Sequence, residues 1–223
     1  MDVLVVDVGG SHVKALATGQ ETSRRFDSGP RLRPDTMISR LLALASGWSF
    51  DAVSVGIPAP VHDGRVVADP VNLGKGWVGF DFAGAFGRPT RVVNDAAMQA
   101  LGSYDGGGKM LFLGLGTGLG SALVANGLVQ PMELGHLPYR KATFEDYVGE
   151  AALERRGKKR WRKDVVDVVA ALSAALEPDY VVLGGGNADK LAELPDGVRL
   201  GDNDNAFAGG FRVWDDDAPV RIP

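Results

Sequence analysis

The chain has 223 residues, 45% of them apolar and 23% charged, a composition that excludes a disordered chain and a coiled coil. No apolar stretch approaches the ~20 residues of a membrane-spanning helix, and acid at Asp2 and Asp7 with no basic flank argues against a signal peptide, so the cytoplasm is the expected compartment. There is no cysteine and there are three histidines, which removes disulfides, thiol nucleophiles and a zinc site. Twenty-four basic residues against 28 acidic ones give a net charge of −4. Seven of the basic residues lie in Arg155–Lys163 with no acid among them, so the remainder carries −11 and does not resemble a general nucleic-acid binder.

Val3–Val6 reads as a buried strand ending at Asp7, with a tight turn at Gly9-Gly10. Ala15–Thr18 and Ser23–Asp27 continue it as a meander. Asp35–Ser46 has helical spacing, with Met37, Ile38, Leu41, Leu42 and Ala45 on its apolar face. Ala52–Gly56 and Arg91–Asn94 are strands, and the segment after Asp95 is helical to Ser103. Met110–Leu115 is a strongly apolar strand that enters Gly116-Thr117-Gly118-Leu119-Gly120. Ser121–Ala125 and Leu128–Gln130 form a hairpin about Asn126-Gly127. Thr143 and Asp146 have the spacing of a capping box. A helix carrying Trp161, Val165, Val168, Leu172 and Leu176 stops near Pro178, and Tyr180–Leu183 is a last buried strand before Gly184-Gly185-Gly186.

Glycine is over-represented, at 31 residues, and gathers where strands enter turns. A shift of 108 positions lays Val3–Gly19 over Leu111–Gly127, with Gly10 on Gly118 and Gly19 on Gly127. The predicted architecture is therefore two similar α/β lobes, each offering a glycine turn. The expected division is 1–105, completed by a C-terminal helix near 205–214, and 106–204.

A strand running into glycine-rich backbone presents several N–H groups to one point, which suits a phosphate; two such turns suit a donor lying between lobes. The alternative for either turn alone is a tight hairpin. Neither has Walker spacing. Asp95, at a strand end before a helix, has the place of a general base toward a hydroxyl, or simply of an N-cap. Glu133-Leu134-Gly135-His136 and Glu145 offer polar groups to a sugar, or form an exposed loop. The basic run is either a solvated face or an attractor for a polyanion.

In order, these segments resemble the ROK family of sugar kinases, of the actin/hexokinase/Hsp70 ATPase superfamily, with its polyphosphate/ATP glucokinase branch nearest. The resemblance rests on Val6–Lys14, Val55–Val61, Asn72–Trp77, Asn94-Asp95-Ala96, Leu115–Ser121, Glu133–His136, Glu145-Asp146-Tyr147, Trp161 and Val182–Gly186. It departs at Ala59, where the family commonly has glycine, and in lacking a zinc-binding cysteine cluster. The chain is also short for the family, and the shortfall is expected in the second lobe near the adenosine segment.

That resemblance implies an actin-like, ribonuclease H-like ATPase fold with a cleft between the lobes. It implies a Mg²⁺-dependent kinase for the 6-hydroxyl of glucose or a related hexose, with polyphosphate, ATP or both as donor. Asp95 would be the base and Asp7 would act near Mg²⁺. Asn72, Asn94, Glu133, His136 and Glu145 would hold the sugar. Gly9, Gly10, Ser11 and Lys14 would hold the phosphates together with Gly116, Thr117, Gly118 and Gly120, and Gly184, Gly185 and Gly186 would lie near an adenosine. A homodimer is expected by analogy alone. The rival readings are a kinase for another sugar or amino sugar, and a sugar-binding ROK protein without activity. With the first strand expected from Val3, a repressor's DNA-binding segment ahead of it is not expected.

Overall fold

The computed structural model describes residues 1–202, 204–215, 221 and 222. Its first sheet is built from β1 (Val3–Val8), β2 (His12–Ala17), β3 (Arg24–Asp27), β4 (Ala52–Ile57) and β7 (Thr90–Asn94), in the order β3-β2-β1-β4-β7. Between them lie α1 (Pro34–Leu44), the small hairpin β5 (Val61–His62) with β6 (Arg65–Val66), and α2 (Phe82–Phe86). After α3 (Asp95–Ser103) the second sheet begins with β8 (Met110–Leu115), β9 (Leu119–Ala125) and β10 (Leu128–Met132). A 3₁₀ turn (Leu134–His136) and the hairpin β11 (Pro138–Tyr139) with β12 (Ala142–Thr143) follow. Three helices come next, α4 (Glu145–Val148), α5 (Glu150–Arg156) and α6 (Lys158–Leu176). The sheet closes with β13 (Tyr180–Gly184) and β14 (Val198–Leu200), and the chain continues into α7 (Asn205–Arg212).

The second sheet runs β10-β9-β8-β13-β14, the same plan as the first. In each, an antiparallel meander sits beside a parallel pair, and the central strand lies between them. The weak repeat in the sequence is thus a repeat of topology. β1, β4, β8 and β13 are apolar apart from Asp7 and Ser54, because both faces are covered. On the first sheet α1 and the segment holding Trp77, Phe82 and Phe86 form the outer layer; on the second, α4–α6 supply Val148, Trp161, Val165, Val168 and Leu172.

The two remaining helices cross between the sheets. α3 leaves the first sheet and packs Ala96, Ala97, Ala100 and Leu101 on the second; α7 leaves the second and packs Ala206 and Phe207 on Val3 and Val5 of the first. They meet backbone to backbone. A Cβ on Gly102 would lie 1.8 Å from the Asn205 carbonyl oxygen, and one on Gly209 1.8 Å from that of Met98. Buried Ser54 fastens α7 to β4, its hydroxyl donating to the Gly210 carbonyl at 2.6 Å and accepting from the Trp214 indole at 2.9 Å.

Local differences from the sequence reading have plain causes. Helix α1 starts at Pro34, whose fixed φ suits the first helical position, and Leu42 is 41% exposed while Met37, Ile38 and Leu41 face the core. Asn126 and Gly127 both take positive φ, 53° and 76°, as the hairpin turn requires. The second sheet has five strands in the same order as the first. Among the described residues no helix is long and apolar enough to cross a membrane.

Candidate active site

The motifs at Val6–Lys14, Val55–Val61 and Asn94-Asp95 lie at the carboxyl ends of the parallel strands β1, β4 and β7, where α/β sheets place their ligands, whereas Asn72–Trp77 lies in the loop between β6 and α2. Asp7 is the penultimate residue of β1, paired with Gly56 on one side and Lys14 on the other. Facing Lys14 across the pair puts an ammonium beside the carboxylate. Burial pushes the Asp7 carboxyl up, and Lys14 only partly offsets it. The turn that follows is closed by the Gly9 N–H donating to the His12 carbonyl at 2.8 Å, and by the Ser28 hydroxyl donating to the Gly9 carbonyl at 2.6 Å. Ser11, at its tip, is exposed.

Asn94 and Asp95 divide two tasks that the sequence left together. The buried Asn94 side chain accepts the Ala97 N–H at 3.1 Å and donates to the Ala59 carbonyl at 3.2 Å. It therefore caps α3 and ties the Pro58–Pro60 turn to it. Asp95 is left with one oxygen on the Ala96 N–H at 2.8 Å and stays partly exposed. Its carboxyl is pushed up to about 7, first by burial and then by the negative charges of Asp7 and Glu133, with the Ala96 N–H opposing. An amide can do both structural jobs of Asn94, so the carboxylate next to it is free for chemistry.

The second glycine turn comes directly against the first. A Cβ on Gly10 would stand 3.0 Å from the Thr117 hydroxyl and 3.5 Å from the Asn72 Cβ. Gly120 allows β9 to approach α3, where a Cβ would lie 3.2 Å from that of Ala96. Glu145, the first residue of α4, accepts the Leu119 N–H at 3.2 Å, and its carboxylate occupies the space a Gly118 side chain would need. Gly135 lets the Glu133–His136 turn lie on Glu145, with a Cβ there only 3.4 Å from the Glu145 Cβ. His136 Nδ1 is 3.9 Å from the Glu133 carboxylate. Burial raises the Glu133 carboxyl, His136 lowers it, and Glu145 raises it again. Asp7, Asp95, Glu133, His136 and Glu145 thus form one electrostatic group around the two turns.

The Gly184–Gly186 turn packs beside the Gly116–Gly120 turn. Gly184 lies against Phe112, Gly185 (φ 81°) against the Leu115 backbone, and Gly186 faces open space. Two features here were not visible in the sequence. Asn187 donates from its side chain to the Gly116 carbonyl at 3.3 Å, bracing one glycine turn with the other. The Glu150 N–H, at the start of α5, donates to the Gly116 carbonyl at 3.0 Å. Such braces are set by tertiary packing, although an Asn just after three glycines is a fair signal for the first.

Among the described residues no group of three or more His, Asp or Glu side chains is arranged as a metal cage. A Mg²⁺ that keeps its waters and is shared with a donor's phosphates needs only one or two carboxylates. Asp7, partly buried before the Gly9-Gly10 turn with its charge poorly solvated, fits that demand.

No family model matches the chain. It is 30% identical over 214 residues to the polyphosphate glucokinase of Mycobacterium tuberculosis (strain ATCC 25618 / H37Rv), an alignment spanning 85% of this chain and 80% of that protein. Among solved structures, the inorganic polyphosphate/ATP-glucomannokinase from Arthrobacter sp. strain KM aligns with a TM-score of 0.82 at 22% identity, over 94% of this chain and 96% of that one. A ROK family glucokinase from Streptomyces griseus, solved with glucose and AMPPNP, aligns with a TM-score of 0.75 at 17% identity, over 94% and 98%. At these identities the two structures speak to the fold.

Proposed function

The chain belongs to the ROK family of sugar kinases, in the branch of the polyphosphate glucokinases, and from that premise we propose that it transfers the terminal phosphoryl group of polyphosphate, with ATP as a second donor, to the 6-hydroxyl of glucose. It is a hexose kinase with the actin-like α/β fold. The proposed working lobes are 1–105 with the helix near 205–214, and 106–204; the matching strand orders support that division. The cytoplasm, where phosphorylated donors are regenerated, is the proposed compartment, and a homodimer is the proposed assembly by analogy.

The observation that carries the reading is the meeting of the Gly10 and Thr117 turns beside a carboxylate pushed up to about 7. In the proposed reaction Asn72, Asn94, Glu133, His136 and Glu145 hold the sugar, with Asn94 acting from within the wall through the Ala59 turn. Asp95 accepts the proton of the 6-hydroxyl as that oxygen bonds to phosphorus and the bridging P–O bond to the remaining donor breaks. A base with a pKa near the working pH combines adequate basicity with adequate ionisation. The backbone N–H groups of the Gly9–Ser11 and Gly116–Gly120 turns, with Lys14, align and neutralise the phosphates, which is most of what phosphoryl transfer requires. Bound Mg²⁺, held through Asp7, would supply further charge neutralisation on the donor oxygens.

The donor preference rests on the basic run. Arg155, Arg156 and Arg162 are occupied, donating to the Asp146 carbonyl, the Asp164 carboxylate and the Lys190 carbonyl at 2.9, 2.8 and 2.6 Å. Lys158, Lys159, Arg160 and Lys163 are exposed and carry no ion pair or hydrogen bond to a described residue. Three of them stand in the first turn of α6, which has no acidic residue and no side-chain cap. Cations at the positive end of a helix dipole repel it and attract a polyanion. Gly184–Gly186 would lie near an adenosine when ATP is the donor. The test is a matrix of polyphosphate, ATP and GTP against glucose, mannose and amino sugars, with the product detected directly. Lys158→Glu/Lys159→Glu is expected to lower kcat/KM for polyphosphate about tenfold at low salt and to leave ATP within about threefold. Equal losses with both donors, or none, would remove the patch from donor selection.

A further inference from the structure

Helix α4 is four residues long, far too short to hold its own shape, yet its first residue is Glu145. Its placement is therefore lent by its surroundings. Its own N-terminus has a local clasp, the Thr143 hydroxyl lying 2.7 Å from the Asp146 carboxylate. At its far end the buried Trp161 indole donates to the Val148 carbonyl at 2.7 Å. On its flank, the Arg156 guanidinium stacks on Tyr147 at 4.8 Å and Arg140 lies 5.3 Å from the same ring. Arg140 also covers Tyr139 at 4.6 Å, and the two tyrosines meet edge to face at 5.1 Å.

Both arginines end on one acid. Asp164 is 2% exposed; it accepts from Arg140 Nη1 at 2.6 Å on one oxygen and from Arg156 Nε at 2.8 Å on the other. Arg140 holds φ at 54°, a left-handed conformation unusual for a side chain of its size, and its second nitrogen reaches Asp167 at 2.9 Å. An ion cluster built on one buried carboxylate, with both arginines partly exposed, contributes little net stability, because desolvation of the acid and solvent screening offset the attraction. What it does supply is a fixed geometry: it joins the β11–β12 hairpin, α4 and α6 at one point.

We propose that Asp164, through Arg140 and Arg156, is a positioning residue that sets where the Glu145 carboxylate lies against Gly118 and Leu119, and thereby sets the affinity for the sugar. The inference rests on the reading of Glu145 as a sugar ligand. Glu145 is two residues from Tyr147, and the Gly135 contact passes any displacement of α4 on to the Glu133–His136 turn. The donor turn 116–118 has a further brace outside α4 and α5, the Asn187 side chain on the Gly116 carbonyl, so the larger effect is expected on the sugar side.

The experiment is a double-mutant cycle on the full chain. Arg140→Ala, whose side chain is 41% exposed, is expected to raise the sugar KM about tenfold, with kcat and the donor KM within about threefold. Asp164→Asn is expected to do the same; if it does not fold, Arg140→Ala carries the test alone. Glu145→Gln is expected to raise the sugar KM at least as far. The double variant Arg140→Ala/Glu145→Gln should match Glu145→Gln, because the place of a missing carboxylate no longer matters. Multiplying effects in the double variant, or a lowered melting temperature with an unchanged sugar KM in Arg140→Ala, would overturn the proposal and leave the triad a structural clasp. An unchanged sugar KM in Glu145→Gln would instead remove Glu145 from the sugar site, and the proposal with it.

Discussion

Replacing Asp95 by asparagine should disable the enzyme and stabilise the protein at once. The Asp95 carboxyl, pushed from its ordinary 3.8 to about 7, binds its proton more tightly in the folded chain than in the unfolded one. Stability from this group is complete below about pH 4 and is lost as pH rises through about 7, since the unfolded chain releases the proton first. At 1.36 kcal/mol per pH unit the full loss is about 4 kcal/mol, an upper bound. Asp95 is partly exposed, and solvent screening reduces the figure to roughly 1–2 kcal/mol. Asparagine keeps the oxygen that accepts the Ala96 N–H and carries no charge. At pH 8 its melting temperature should exceed that of the wild type by roughly 2–8 °C, a gain that shrinks toward zero near pH 4. Turnover should fall by about 10²–10⁴ with sugar binding retained, and the wild-type kcat/KM should rise with pH through an apparent pKa of about 7. The assays are calorimetry across pH 4–8 and coupled kinetics over the same range. A variant no more stable at pH 8 than at pH 4 relative to wild type, or one that keeps substantial turnover, would refute the argument.

Two further outcomes follow from the same geometry. Asp7→Asn removes the charge that most raises Asp95 after burial, so the Asp95 carboxyl, followed by NMR titration, should shift to lower pH; an unchanged midpoint would separate the two groups. Gly102→Ala sets a methyl group 1.8 Å from the Asn205 carbonyl oxygen, where backbone must give way, so unfolding by urea should show a loss of about 3 kcal/mol or more. A near-neutral result there would mean that α3 and α7 do not cross as described.

Much of this was legible in the sequence because the physics is local. Strands covered on both faces read as unbroken apolar runs, and glycines at their ends mark turns whether or not a partner is known. The repeat at 108 positions was faint in residues because only backbone-critical glycines and apolar alternation recur; the shared strand order makes it plain. The elements missed were short ones with little periodicity to read: the two-residue strands at 61–66 and 138–143, β14, and the five-residue α2, whose local signals are the Asp81 cap and the left-handed Gly87. Capping at Asn94 rather than Asp95 could not be decided from types alone, since both side chains do it well. The basic run was the least legible feature. Its residues divide by what they pack against, three holding α4 and the Asn187–Lys190 segment and four facing solvent, and that division exists only once the helix is placed.

In the proposed reaction a hydroxyl of the sugar, rather than water, receives the phosphoryl group beside Asp95. It is tested most directly by a turnover of the purified enzyme with polyphosphate, Mg²⁺ and glucose, the product being resolved by ³¹P–¹H correlation. The expected product gives a phosphorus signal coupled to the two C6 protons, at a yield matching the donor consumed. Phosphate at another carbon, or inorganic phosphate as the sole product, would contradict it.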